Sequence, residues 1–300
     1  MSLMLLDSAS LWYRAYFGMP DTLLSPKGEP INAIRGFLDM SARLINIYKP
    51  DRLIACLEGD WRPSWRVDLF PGYKASRVDE NGDEEEPDTL SPQIPILLDV
   101  LDALGIATVG ADDYEADDVI ATFSKSEKGP IRIVTGDRDL FQLVDDKKDV
   151  KIVYLAKGLT NHDLVDHAWI SNKYQIPGER YALFAMIRGD ASDGLPGFKG
   201  IGEKGAAQIV KLFPDLSAVM IAAKQEDPQL KPALIKKILE SREYAKIAPT
   251  LVHCATDVPL PKVETAFNID KVNLKELRKL QEEFGLGASI DRFLAAIDTK

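Results

Sequence analysis

A chain of 300 residues, 45% hydrophobic and 28% charged, has the make-up of an ordinary soluble globular protein with sequence enough for one large or two modest cores. No apolar run is long enough to span a membrane, and Asp7 interrupts the apolar start too soon for a signal peptide, so a cytoplasmic protein with no membrane partner is expected. The formal net charge of -10 speaks against a uniformly basic nucleic-acid binder, but its distribution matters more than its total, since residues 79–88 alone hold seven acidic side chains and no basic one.

Residues 3–6 form a short apolar strand with Asp7 at its end, and 31–48 have helical periodicity, with Ile34, Phe37, Leu38, Leu44 and Ile45 on one side. A second strand over 53–57 ends in Glu58-Gly59-Asp60, and a helix over 90–104 precedes a third strand over 106–109. Between them, 61–87 shows no clear apolar period. Its first half is basic and aromatic (Arg62, Trp65, Arg66, Tyr73, Lys74, Arg77), and its second half is the acidic run. A loop this long in a compact domain is usually functional, so 72–77 is expected to overhang the site as a mobile, phosphate-gripping segment. The apolar run 131–135 ends in Gly136-Asp137, the mark of a buried parallel strand. Residues 150–154 are expected to be the last strand. The chain then turns helical, with single helices over 231–247 and 274–297. Helices between parallel strands predict an α/β fold, a doubly wound and mostly parallel sheet over 1–165 followed by a helical region over 166–300. Cys56 and Cys254 lack metal or redox spacing and read as reduced, buried thiols, while His162, His167 and His253 form no metal-like set.

Such a topology brings strand ends to one edge. Asp7, Glu58 or Asp60, and Asp137 would project from it, with Glu115, Asp117 and Asp118 on the helix beside it and Asp139 just beyond Asp137. Ligands bind at that edge in open α/β sheets. Carboxylates gathered there repel one another unless a cation lies among them, and hard divalent cations prefer oxygen ligands. A metal centre is therefore expected. A solvated acidic helix next to an Asp-x-Asp loop would account for either cluster alone.

The stretch 189–210 adds paired Asp190 and Asp193, then Gly200-Ile201-Gly202 opening a helix, with Lys199 and Lys204 beside it. Glycines let backbone approach a phosphate, whose charge is met by free amides at a helix start. A clamp on duplex backbone, joined to the metal site, is expected.

Together these stretches resemble the 5′-nuclease family, the flap endonucleases and the 5′–3′ exonuclease domain of bacterial DNA polymerase I. The resemblance spans nearly the whole chain and is carried by YEADD at 114–118, TGDRDLFQLV at 135–144, GDASDGLPGFKGIGEKGAAQIV at 189–210, YKASR at 73–77 and the position of Asp7. It implies that Asp7, Glu115, Asp117, Asp118, Asp137, Asp139, Asp190 and Asp193, with Glu58 or Asp60, bind two Mg2+ or Mn2+ ions. It also implies an arch-like loop over roughly 61–90, as in loops that close on a ligand. There Arg66, Tyr73, Lys74 and Arg77 engage DNA, with Lys74, Arg77, Asp137 and Asp139 catalytic. Lys199, Gly200, Gly202 and Lys204 fall in a helix–three-turn–helix over 186–212, where the family often holds potassium. The implied activity is hydrolysis of DNA at 5′ flaps, nicks and 5′ ends by a monomer. No polymerase sequence follows, so a free-standing bacterial member is expected.

The chain departs from the family pattern in three places. Gly59 stands where an aspartate is usual, so strand register favours Glu58 and residue type favours Asp60. Gly194 and Gly205 replace the usual Asn and Thr, and the acidic run is unusual in the arch. Two rival readings are a ribonuclease on a related fold, which would not need 189–210, and a catalytically silent DNA-junction binder.

Overall fold

The computed structural model describes residues 1–78 and 86–298, so most of the acidic run, 79–85, lies outside the described residues. Strand β1 (Leu3–Asp7) runs through the middle of a six-stranded sheet, parallel to β2 (Arg52–Cys56) on one side and, on the other, to the strand Ile131–Thr135. With β3 (Ala107–Val109), β4 (that same Ile131–Thr135), β5 (Val150–Tyr154) and β6 (Asp163–Val165), the order is β3-β2-β1-β4-β5-β6. Only β6 is antiparallel to its neighbour. The expectation that β5 ends the sheet is corrected by β6, whose three residues include one buried apolar side chain, Val165. So short a segment has no period to read.

Helices α1 (Ser8–Gly18) and α2 (Asn32–Tyr48) follow β1, α3 (Ser64–Leu69) and α4 (Gln93–Ala103) follow β2, and α5 (Ala116–Ser126) follows β3. After β6 come α6 (His167–Tyr174), α7 (Tyr181–Arg188), α8 (Glu203–Leu212), α9 (Leu216–Lys224), α10 (Pro232–Glu240), α11 (Arg242–Val252), α12 (Leu274–Phe284) and α13 (Ser289–Asp298). Among the described residues no single helix is long and apolar enough to cross a membrane.

The unbroken apolar run of β1 is explained by a sheet covered on both faces. Leu3 and Leu5 enter a core shared with α5 and the helices α6 to α11, while Met4 and Leu6 enter a second core with α1, α2, α4, α12 and α13. The last two helices thus return to the first part of the chain. Arg292 of α13 donates twice to Asp39 of α2, at 2.9 and 2.8 Å.

Each of the two long C-terminal helices read from periodicity is in fact a pair. The first breaks at Ser241, whose hydroxyl donates to the Lys237 carbonyl at 2.9 Å, between α10 and α11. The second breaks where Gly285 adopts φ 66° and caps α12. Apolar periodicity carries across such short interruptions and hides them.

The connection expected to be irregular holds α3 and a 3-10 turn at Ala75–Arg77. Tyr73 and Lys74 are buried rather than overhanging, and the Lys74 amide donates to the Asp193 carbonyl at 2.9 Å. This corrects the picture of a free loop at 72–77, because its backbone is docked on the turn after α7.

Phe141 lies where the sheet meets the helical region, its ring centroid 4.9 Å from Tyr154, 5.5 Å from Trp169 and 5.3 Å from Tyr181. Phe141→Ala is expected to cost about 3–5 kcal/mol, read from the shift of the urea-unfolding midpoint. A change of less than about 1 kcal/mol would show that the aromatic cluster closes over the cavity at no cost.

Candidate active site

Chain order in the sheet reverses at β1, with β2 and β3 to one side and β4 and β5 to the other. Such a switch point opens a crevice at the carboxyl ends of the strands. Asp7 ends β1, and Asp137 follows β4 by two residues. Asp7 caps α1, accepting the Ser10 amide at 3.1 Å and the Thr135 hydroxyl at 2.6 Å, so its carboxylate is aimed by the start of α1 and the end of β4. Glu58 reaches the start of α5 and accepts the Ala116 amide at 2.7 Å. A cleft of about 1250 Å³ is lined by Asp7, Glu58, Asp60, Glu115, Asp117 and Asp137, with Lys74 and Arg77 as facing cations.

The same cleft takes Trp12, Tyr13 and Arg14 of α1 and Arg43 of α2, none of which sequence reasoning singled out. The signal that could have found the first three is their place in the helix that Asp7 caps.

Burial pushes several of these carboxyls up. Asp7 rises to about 6, its hydrogen bonds from Thr135 and Ser10 offsetting part of the burial. Glu58 rises to about 8 through burial and then the Glu115 charge. Asp117 and Asp139 rise well above the carboxylate range, through burial first and the Asp137 charge second. Lys74 is held protonated, because Glu115, Asp193 and Glu58 outweigh the burial that opposes its charge. Asp139 Oδ1 is buried without a hydrogen-bond partner, with Arg188 at 4.0 Å.

Among the described residues no three His, Cys, Asp or Glu side chains stand in finished coordinating geometry. The donor chemistry still fits hard divalent cations. Every candidate ligand is a carboxylate oxygen, the groups repel one another, and Asp139 offers an orphan acceptor.

Several expected contacts are spent inside the protein. Arg66 is 3% exposed. Its guanidinium grips both oxygens of Asp118 at 2.7 and 2.8 Å and reaches Glu115 at 3.0 Å. Asp118 also accepts the Glu115 amide at 3.2 Å, closing a capping box on α5, and the Ala255 amide at 2.7 Å. Asp118, expected as a ligand, has its oxygens occupied inside the protein and does not line the cleft. Arg66 and Tyr73, expected at nucleic acid, are likewise turned inward. The Tyr73 hydroxyl donates inward to Glu115 at 2.6 Å. Lys74 Nζ donates to Glu115 and to the Trp61 carbonyl, the latter at 3.1 Å, but remains at the cleft wall.

Asp190 and Asp193 sit in the turn after α7 and do not line the cleft, nor does Asp139. Burial would raise Asp190, but the Ser192 hydroxyl and Arg138 outweigh it and hold it below its ordinary value. Asp193 pairs with Arg77, and its carboxyl is raised by burial. The charge of Asp137 acts on both Asp139 and Asp193, which ties this second acidic group to the first.

Two glycines explain departures from the family pattern. A Cβ at Gly59 would stand 1.8 Å from the Ala111 carbonyl oxygen, so no side chain fits there, and the carboxylates fall to Glu58 and Asp60. Gly194 has φ 71°, and a Cβ there would meet the Gly72 carbonyl at 2.2 Å. The glycine is what lets 72–74 dock on the Asp193 turn.

The Gly200-Ile201-Gly202 turn lies outside the cleft lining. Gly202 caps α8, and a Cβ on it would meet nothing within 4 Å. Lys199, Gly200 and Lys204 are exposed around it.

Breaking a buried ion pair from one side leaves the other charge uncompensated, at about 3–5 kcal/mol. Arg66→Met is expected to lower stability by that amount in chemical denaturation, and the double variant Arg66→Met, Asp118→Leu to regain most of it. An unchanged unfolding midpoint in the single variant would show that Arg66 is not part of the interior.

Residues 2–175 match the family model described as 5′-3′ exonuclease, N-terminal resolvase-like domain, and 176–279 match 5′-3′ exonuclease, C-terminal SAM fold. A 5′-3′ exonuclease of Streptomyces coelicolor is 48% identical over 98% of this chain and 99% of its own length, and one of Mycobacterium tuberculosis is 42% identical over 99% and 98%. DNA polymerase I of Bacillus subtilis is 28% identical over 97% of this chain, which spans 32% of the polymerase. Bacteriophage T5 flap endonuclease, solved as a pseudo-enzyme-product complex with DNA and metal ions, superposes with a TM-score of 0.66 at 18% identity, over 99% of this chain and 100% of that one. With the two family models abutting across 2–279 and relatives this similar along nearly the full length, the chain belongs to the 5′-3′ exonuclease family.

Proposed function

We propose that the protein is a structure-specific 5′ nuclease, acting as a monomer on DNA with a 5′ flap, nick or 5′ end, with Mg2+ or Mn2+ as its ion. The observation that carries this reading is the gathering of Asp7, Glu115, Asp117 and Asp137 in one cleft at the sheet's switch point, opposite Lys74 and Arg77. The phage relative's complex with DNA and metal ions supports it. Divalent ions bound among these oxygens would lower the pKa of a water and stabilise a leaving oxygen.

Asp7, Asp117, Asp137 and Glu115, with Glu58 or Asp60, hold the ions at the cleft. Asp139, Asp190 and Asp193 act from the second acidic group, partly through water, since magnesium keeps several of its own. Lys74 keeps its proton and presents it to the phosphate, and Arg77 adds a second cation on the same wall. Neither needs to read a base, so specificity rests on backbone shape.

The free start of α8 at Gly202, flanked by Lys199 and Lys204, grips duplex phosphates. Nothing in the protein requires a glycine at 202, whereas a phosphate approaching the helix start does. The potassium expected at this turn meets a Gly200 carbonyl already bonded by Lys237 Nζ at 2.7 Å. The turn therefore carries a cation of its own, and a potassium requirement is left out of the proposal.

The test is cleavage of a 5′-flapped DNA, its RNA equivalent and a blunt duplex, with magnesium, manganese or chelator. Flapped DNA should be cut with either ion and untouched in chelator. Asp137→Asn and Asp117→Asn should lose turnover by orders of magnitude while the melting temperature holds or rises, because repulsion among the carboxylates is relieved. Full cleavage in chelator, or parental turnover in both variants, overturns the reading.

A further inference from the structure

Between α11 and residue 258 the chain runs as a strap without helix or strand, bonded to α3 and α5 on one side and to Gln142 on the other. On one side it is tied to α3 and α5. The Ala255 amide donates to Asp118 at 2.7 Å, and the Val258 amide to the Thr122 hydroxyl at 3.3 Å. The His253 carbonyl accepts Arg66 at 3.5 Å. On the other side, among the described residues, the hydrogen bonds come from one side chain. Gln142 Nε2 donates to the Val252 carbonyl at 3.0 Å and to the Asp139 carbonyl at 2.9 Å, while Gln142 Oε1 accepts the Cys254 amide at 3.2 Å.

We propose that Gln142 is a positioning residue: its carboxamide fastens the Asp139 turn to the strap that also holds Asp118, and so sets the separation of the two acidic groups. The inference rests on the nuclease reading above. Asp139 needs such help, because its Oδ1 has no hydrogen-bond partner and Arg188 stands 4.0 Å off. Its position is set through its backbone, by the Asp139 amide on Asp137 at 2.7 Å and by Gln142 on its carbonyl. Asp137 and Asp139 carry like charge two residues apart, which favours opening of the turn that holds them. A neutral amide opposes that movement without adding charge. A lysine or arginine in its place would hold the turn but neutralise the carboxylates that the ions need. The planar amide also satisfies two acceptors and one donor at once, which an aliphatic side chain of the same length cannot do.

The test compares the parent, Gln142→Met (same length, no amide) and Gln142→Asn (an amide one methylene too short). Asp215→Ala, which removes the N-cap of α9 far from the strap, serves as a control for general destabilisation. Single-turnover cleavage of flapped DNA is measured against magnesium concentration. Affinity for the same DNA is measured in chelator, and Mn2+ binding to the DNA-free protein by calorimetry. Both Gln142 variants should cleave at least tenfold more slowly at saturating DNA, bind Mn2+ several-fold more weakly and need several-fold more magnesium, with DNA affinity in chelator within twofold of the parent. Asp215→Ala should lower the melting temperature and leave all three quantities within twofold. Parental rate and Mn2+ affinity in both Gln142 variants overturn the proposal, as does their failure to fold, which would make Gln142 a folding determinant. A parent that does not cleave flapped DNA overturns the nuclease reading instead.

Discussion

Mutual repulsion of carboxylates at the end of β1 and β4 is the constraint that the rest of the molecule accommodates. Asp7, Glu58, Glu115, Asp117 and Asp137 line one cleft at the switch point of the sheet, with Asp139 and Asp193 close enough to feel the charge of Asp137. Burial, and then the charge of neighbouring carboxylates, holds Asp7, Glu58 and Asp117 above the usual carboxylate range. The protein sets its own cations beside some of these charges and not beside others. Glu115 and Asp118 are matched by Arg66 and Lys74, and Asp190 by Arg138 and Arg188. Among the described residues Asp137 is in no ion pair and Asp139 has only Arg188 at 4.0 Å, an asymmetry that leaves negative charge at this edge of the sheet.

The internal ion pairs position rather than simply stabilise. A buried pair seldom repays its desolvation, but removing one member is costly, so it holds its elements in one arrangement. Arg66 draws α3 onto the start of α5, and the Glu115–Asp118 capping box orients the same helix end. That end presents Asp117 to the cleft. Gly194 allows the neighbouring segment to dock, placing Lys74 against Glu115 and beside Asp193. The loop that supplies Lys74 and Arg77 to the cleft is thus assembled on two distant parts of the chain, α5 and the turn after α7, as expected where loops carry function on a rigid scaffold.

Helix α11 is tied at both ends. At its start, Ser241 accepts the Lys199 amide next to the Gly200 turn. At its end, the strap bonds to Gln142 and Asp118. The Gly200 turn and the segments that carry Gln142 and Asp118 are therefore held to one helix. Helices α12 and α13 belong to neither function and complete the second face of the sheet.

The α/β architecture was legible because strand ends, short apolar runs and carboxylates coincide at residues 7, 58 and 137, and a parallel sheet collects its strand ends at one edge. The acidic clusters pointed to a cation for the same reason. Which carboxylates face the cleft was not legible. Asp117 and Asp118 are adjacent and chemically alike, yet one lines the cleft and the other is buried against Arg66. Arg66, Tyr73 and Lys74 looked like a free gripping loop because an aperiodic segment carries no sign of which side chains turn inward. Gly59 looked like a lost ligand until the approach of the Ala111 carbonyl showed that no side chain could stand there. Local sequence determined which residues end strands and start helices. Only the tertiary structure decided which charges met a partner, because the partners of Asp118, Arg66 at 52 residues' separation and Ala255 at 137, come together only through the packing of distant segments.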